Sequence, residues 1–69
     1  MTHVVLNGAP CELPDGAMLE DAIALSGVHA SRRGVAVAVD GEVVPRAEWE
    51  QTVLSDGAKV EVLQAVQGG

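Results

Sequence analysis

At four places in this 69-residue chain an Asn or Asp stands directly before a glycine: Asn7-Gly8, Asp15-Gly16, Asp40-Gly41 and Asp56-Gly57. These pairs constrain the fold more than any other feature. Glycine enters the positive-φ region without a steric penalty, and the short Asx side chain bonds to nearby backbone, so each pair marks a sharp reversal. Asn7-Gly8 and Asp40-Gly41 suit a two-residue hairpin turn whose two central residues both need positive φ. Pro14-Asp15-Gly16 adds a proline that presets φ, and Ser55-Asp56-Gly57 is a further turn.

The runs between the turns supply the elements. Thr2 to Leu6 is β-branched and apolar and reads as a strand, with Val4 and Leu6 on one face and His3 and Val5 on the other. A second strand returns through Cys11 and Leu13. From Met18 to Ser26 the period changes: Leu19, Ala22 and Ile23 share a helical face, Glu20 and Asp21 suit the positive end of the helix dipole, and Gly27 is a natural stop. His29, Arg32 and Arg33 follow in a polar connection. Gly34 to Asp40 has no polar residue between its ends, which predicts a strand covered on both faces or placed centrally, with Val35, Val37 and Val39 on one side and Ala36 and Ala38 on the other. The small alanine face suits either solvent or a partner whose backbone approaches closely. Glu42-Val43-Val44 returns until Pro45 removes a ladder donor. Arg46 to Thr52 is compatible with one helical turn. Lys59 to Leu63 forms the last strand, with Val60 and Val62 on one face and Lys59, Glu61 and Leu63 on the other.

Strand, strand, helix, strand, strand, helical turn, strand is the order of an α+β two-layer domain. Its last strand pairs centrally and in parallel with the first, and its helix crosses one face. That is the ubiquitin-like β-grasp, here a mixed sheet of about five strands with one main helix. The expected division is a β-grasp domain over 1–64 and a flexible tail over 65–69.

Composition narrows the chemistry. The chain is 48% hydrophobic but has no Phe and no Tyr, so its core is built from aliphatic side chains around a single tryptophan, Trp49. Large aromatics dominate burial in small domains, which makes Trp49 a core plug. A single cysteine, Cys11, excludes an internal disulfide, and Cys11, His3 and His29 lack the ligand spacing of a zinc set. A net charge of −6 opposes nucleic acid and anionic lipid, and favours a partner with a basic docking face. No signal sequence or spanning segment is indicated, so a cytoplasmic protein is expected. No catalytic set is expected either. The serines at 26, 31 and 55 sit in turn-like contexts, no phosphate-binding glycine loop occurs, and turn formation accounts for Asp15, Asp40 and Asp56.

The remaining candidate is the tail, Ala65-Val66-Gln67-Gly68-Gly69. A terminal Gly-Gly is the least hindered end a polypeptide can have. Six residues follow Leu63, an extended reach of at most about 20 Å. That is enough to enter an enclosed site on another protein. Leu63, outward among charges, joins Ala65 and Val66 as a possible docking patch, with Arg46 or acidic residues on its rim.

The segment from Val37 to Arg46, Trp49, Asp56-Gly57 followed by Val60 to Leu63, and the tail Gln64 to Gly69 together resemble the ThiS family, the ubiquitin-like sulfur carriers of thiamine biosynthesis. The resemblance covers the whole chain and is weakest at the helix entry, where Met18 stands in place of a Thr-like cap. It implies that Gly69 is a substrate rather than a catalyst. A ubiquitin-activating-like adenylyltransferase would join its carboxylate to AMP, using ATP and Mg that the carrier itself does not bind. A cysteine desulfurase or another donor would then supply sulfur to form a thiocarboxylate, which thiazole synthase would consume. Gly68, Gln67 and Val66 would form the threaded tail. Two other readings share the Gly-Gly ending: a carrier for molybdopterin or cysteine synthesis, and a non-covalent ubiquitin-like interaction domain.

Overall fold

Five strands and one α-helix form the framework of the computed structural model, which describes residues 1–28 and 34–64. The strands are β1 (Thr2–Leu6), β2 (Ala9–Leu13), β3 (Val35–Val39), β4 (Glu42–Val43) and β5 (Ala58–Gln64). The helix α1 spans Leu19–Leu25, and a short 3-10 helix spans Arg46–Glu48. All five strands form one sheet in the order β2-β1-β5-β3-β4. β5 pairs in parallel with β1, through Val4 with Ala58 and Leu6 with Val60, and antiparallel with β3, through Val37 with Val62. The expected β-grasp order is therefore observed, with the last strand at the centre.

Alternation decides which side of the sheet is covered. Val4, Val37, Val60 and Val62 point to the helix side and are buried against Leu19, Ala22 and Ile23 of α1. Burying each of the larger aliphatic side chains stabilises by about 1.5–3 kcal/mol. Trp49 completes this core at 2% exposure, its indole N–H donating to the Val44 carbonyl at 2.8 Å. Cys11 lies opposite Val4 and is half-buried against the same core.

The helix starts without a side-chain cap from Met18, as its apolar side chain requires. Asp21 instead accepts the Met18 backbone N–H at 2.8 Å, and the Leu19 N–H donates to the Thr52 carbonyl at 2.8 Å. At the other end Gly27 has φ +85.

β3 takes the second of its two expected settings, a place between two other strands, with its alanine face toward solvent. Strands flank both of its edges, but only its valine face is covered. Ala36 is exposed and Ala38 half-exposed. Its run lacks polar residues because alanine, small enough to leave little apolar area in water, occupies the bare side.

The two hairpin turns have the predicted form: Asn7 and Gly8 at φ 49 and 83, Asp40 and Gly41 at φ 51 and 84. The Asx side chains also reach beyond their turns. Asn7 Oδ1 accepts the Val62 N–H at 2.8 Å, Asp40 Oδ1 the Lys59 N–H at 3.0 Å, and Asp56 Oδ1 the His3 N–H at 2.7 Å. Each supplies an acceptor where a neighbouring strand has turned away and a ladder donor would be left unpaired. Asp15 ties down the start of β1, accepting from Thr2 Oγ1 at 3.2 Å and from the N-terminal amine at 3.1 Å.

Candidate functional site

β5 carries the root of the tail. It is bonded to a strand on each side, and its last residue, Gln64, pairs with Val35 at the start of β3. Val62 points into the core, so Leu63 must point away from it, and Leu63 is 64% exposed. Beside Leu63 across the ladder is Ala36; Ala38 lies opposite Glu61 on one side and Val43 on the other. Val43 is 75% exposed. The bare face at this end therefore offers two larger apolar side chains separated by alanines, with Glu61 among them. Backbone of another protein can approach closely over the alanines, whereas larger residues would hold it off.

Arg46 has a different setting. Its guanidinium lies over the Trp49 ring, 4.6 Å from the centroid, an arrangement that the i, i+3 spacing along a helical turn brings about. It closes the outer side of the tryptophan whose other contacts form the core. Of the remaining candidates, Ala65, Val66, Gln67, Gly68 and Gly69 lie outside the described residues, as do His29, Ser31, Arg32 and Arg33.

His3 gains partners that its sequence context does not announce. On the bare face its Nε2 lies 3.0 Å from Glu12 Oε1, the residue opposite it on β2, and its Nδ1 lies 3.3 Å from Asp56 Oδ1. Asp56 accepts from both the backbone N–H and the ring of His3, and these bonds hold its carboxyl below the ordinary value of 3.8. The three side chains are all well exposed. They link β2, β1 and the turn before β5, and the carboxylates bond to the imidazole rather than converging on a shared point. Among the described residues, no group of three or more His, Cys, Asp or Glu is placed to hold a metal ion. No helix among them is long and apolar enough to cross a membrane.

A five-stranded sheet with a parallel central pair, one helix across one face and the other face bare is a ubiquitin-like β-grasp, and its central strand leads directly into a Gly-Gly sequence. The chain belongs to the ThiS family, whose model matches residues 4–69. It is similar to the sulfur carrier protein ThiS of Escherichia coli K12, at 36% identity over 36 residues, or 52% of this chain. That match spans about half of the relative's own length, 54%. Two solved structures of a thiamine biosynthesis protein, ThiS, from Geobacter metallireducens are also similar. The crystal structure superposes with a TM-score of 0.75 at 27% identity, covering 99% of this chain and 100% of the other. The solution structure gives 0.76 at 27% identity, covering 99% of this chain and 88% of the other.

Proposed function

We propose that this protein is a sulfur carrier of thiamine biosynthesis, acting in the cytoplasm, and that its reactive group is the carboxylate of Gly69. The observation that carries this reading is that the family match runs to Gly69 itself and so includes the Gly-Gly. The likeness to the Escherichia coli sulfur carrier protein ThiS supports it.

The chemistry follows from what a carboxylate lacks. Its delocalised charge repels nucleophiles and it has no leaving group. A ubiquitin-activating-like adenylyltransferase, using ATP and Mg, joins it to AMP with release of pyrophosphate. The terminal sulfur of a persulfide from a cysteine desulfurase or another donor attacks the acyl carbon, and AMP leaves. That step forms an acyl C–S bond and keeps the persulfide's S–S bond, which a thiol then cleaves, taking the donor's cysteine sulfur into a disulfide and leaving the C-terminal thiocarboxylate, which thiazole synthase draws on for sulfur. The carrier contributes no catalytic group. It presents the sequence Val66-Gln67-Gly68-Gly69, whose two glycines carry no side chain, and docks through its folded body. Leu63 and Ala65 supply the apolar contact and Arg46 a cationic rim. The alanines of β3 allow close approach beside Leu63.

Co-expression with a cognate adenylyltransferase and a sulfur donor tests this. The expected result is an oxygen-to-sulfur mass change confined to Gly69. If the mass never moves while binding persists, the protein is a non-covalent interaction domain. Rescue of a thiamine auxotroph, set against a molybdenum-cofactor mutant, separates the two carrier readings. Removing Gly68 and Gly69 should abolish thiocarboxylate formation and leave the melting temperature nearly unchanged; a large drop would make the tail part of the core.

A further inference from the structure

Asn7 is the sole asparagine of the chain, and the residue after it, Gly8, has no Cβ to shield its backbone nitrogen. The pair sits exposed in the β1–β2 turn, and the space where a Cβ of residue 8 would stand is open, with nothing within 4 Å. The Asn7 side chain is nonetheless engaged. Its Oδ1 accepts the Val62 N–H at 2.8 Å, while its backbone N–H donates to the Val60 carbonyl at 2.9 Å. We propose that Asn7-Gly8 is a site of spontaneous covalent modification, in which the side-chain amide is lost through a cyclic imide, and that the bond to Val62 on β5 governs its rate.

The backbone nitrogen of Gly8 attacks Cγ of Asn7 and gives its proton to solvent base. A C–N bond forms, the bond from Cγ to the side-chain nitrogen breaks, and ammonia leaves after taking up a proton. Water then opens the five-membered imide at one of its two carbonyls. One product is aspartate with the normal backbone. The other is isoaspartate, in which the main chain runs through the former side chain and gains a methylene. No oxidant or reductant is involved.

Two effects of the Val62 bond oppose each other. Accepting a hydrogen bond polarises Cγ and favours attack. Holding the amide against β5 prevents Cγ from swinging over the Gly8 nitrogen, and attack requires an approach to about 3–3.5 Å before bond formation. Restraint dominates, because polarisation acts only once the groups can meet. The folded protein therefore modifies slowly, by a factor of roughly ten relative to the free sequence, the upper range for one net hydrogen bond.

The two products affect the sheet differently. Aspartate keeps an oxygen where Val62 needs an acceptor. Isoaspartate lengthens the turn and moves that oxygen, which frees the β1-side edge of β5 just before the tail root.

Full-length protein and a synthetic peptide of residues 2–13 are incubated together in mildly alkaline buffer, followed by intact mass and fragmentation. The expected result is the mass gain of an NH2-to-OH exchange, mapped to residue 7, about tenfold slower in the protein than in the peptide. The three Asp-Gly pairs cannot contribute to that gain, since on isomerising they lose one water and regain one, with no net change of mass. No gain in the protein after the peptide has converted fully would overturn the site, and equal rates would overturn the restraint. Asn7→Asp, which retains the acceptor, should melt near the parent, and the purified isoaspartyl form below it. Coincident melting of the two would overturn the link to β5.

Discussion

Val62 and Leu63 are adjacent residues of one strand, equally apolar and equally part of the ladder, yet one is 5% exposed and the other 64%. Their difference is that of the two sides of the sheet. The covered side is valine against leucine, isoleucine and tryptophan, and it supplies the burial that a chain this short depends on. The bare side carries His3, Lys59, Glu61, Leu63 and the β3 alanines, and packing constrains their identity very little. A strand of period two can thus assign stability to one set of residues and recognition to the next, without either interfering with the other.

The same substitution placed one residue apart gives the sharpest test. Val62→Asp buries a carboxylate without a partner and should cost at least about 3 kcal/mol. That is a large part of the roughly 3–10 kcal/mol expected for a domain of this size. Leu63→Asp should move stability by no more than about 0.5 kcal/mol. Urea unfolding followed by circular dichroism compares the two directly, and equal losses would break the division between faces. In the adenylation proposed above the order reverses: Leu63→Asp should raise KM by roughly tenfold, the scale of a contact worth about 1.4 kcal/mol, with a normal melting temperature. An unchanged KM would remove Leu63 from the docking surface.

Arg46 lies between these extremes. Arg46→Ala should cost about 0.5–1 kcal/mol through lost contact with the Trp49 ring. It should also shift the tryptophan emission, as a solvated ring face would. Arg46→Lys should recover only part of the effect, because a planar guanidinium stacks on a ring and an ammonium does not.

The smallest effect concerns acid stability. Asp56 has a depressed folded-state pKa, so its contribution is fully present above the ordinary value of 3.8 and is lost as pH falls through the lower folded value. Asp56→Asn should remove that contribution, lowering stability slightly near neutrality, flattening the curve in the acid range and converging with the parent below the folded value. A carboxyl titration by NMR that places Asp56 at or above the ordinary value would refute the bonding to His3.

Local chemistry made the elements legible. The Asx-Gly turns, the helical spacing of Leu19, Ala22 and Ile23, the alternation in β5 and the burial of Trp49 each follow from residues close in sequence. The bonds that join distant segments were not legible. Asn7 to Val62, Asp40 to Lys59 and Asp56 to His3 depend on which strands become neighbours, and an Asx residue that satisfies its own turn looks the same whether or not it also caps a ladder. The same holds for His3, whose partner Glu12 becomes visible only once the hairpin register is fixed. An aid was available in the sequence: counting outward in equal steps on both sides of Asn7-Gly8 pairs position 6 with 9 and, three steps on, position 3 with 12. At the candidate site, Leu63 is placed outward as its alternation requires, while Ala65 to Gly69 fall outside the described residues.

The position of β5 also bears on how the protein is made. Synthesis delivers β1–β2 first and β3–β4 later, and an isolated two-stranded hairpin is at best marginally stable in water. Among the described residues no strand joins the two hairpins until those from 58 onward arrive, because the strand between β1 and β3 is the last in the sequence; before that, only the bonds of 52–54 to Ala17, Met18 and Leu19 tie the two halves. The sheet thus forms around contacts of long sequence separation, and its assembly waits for chain completion. A polypeptide stopped before Ala58 lacks both the strand that completes the sheet and the Gly-Gly, so the segment that closes the fold and the segment that ends in the tail are made together.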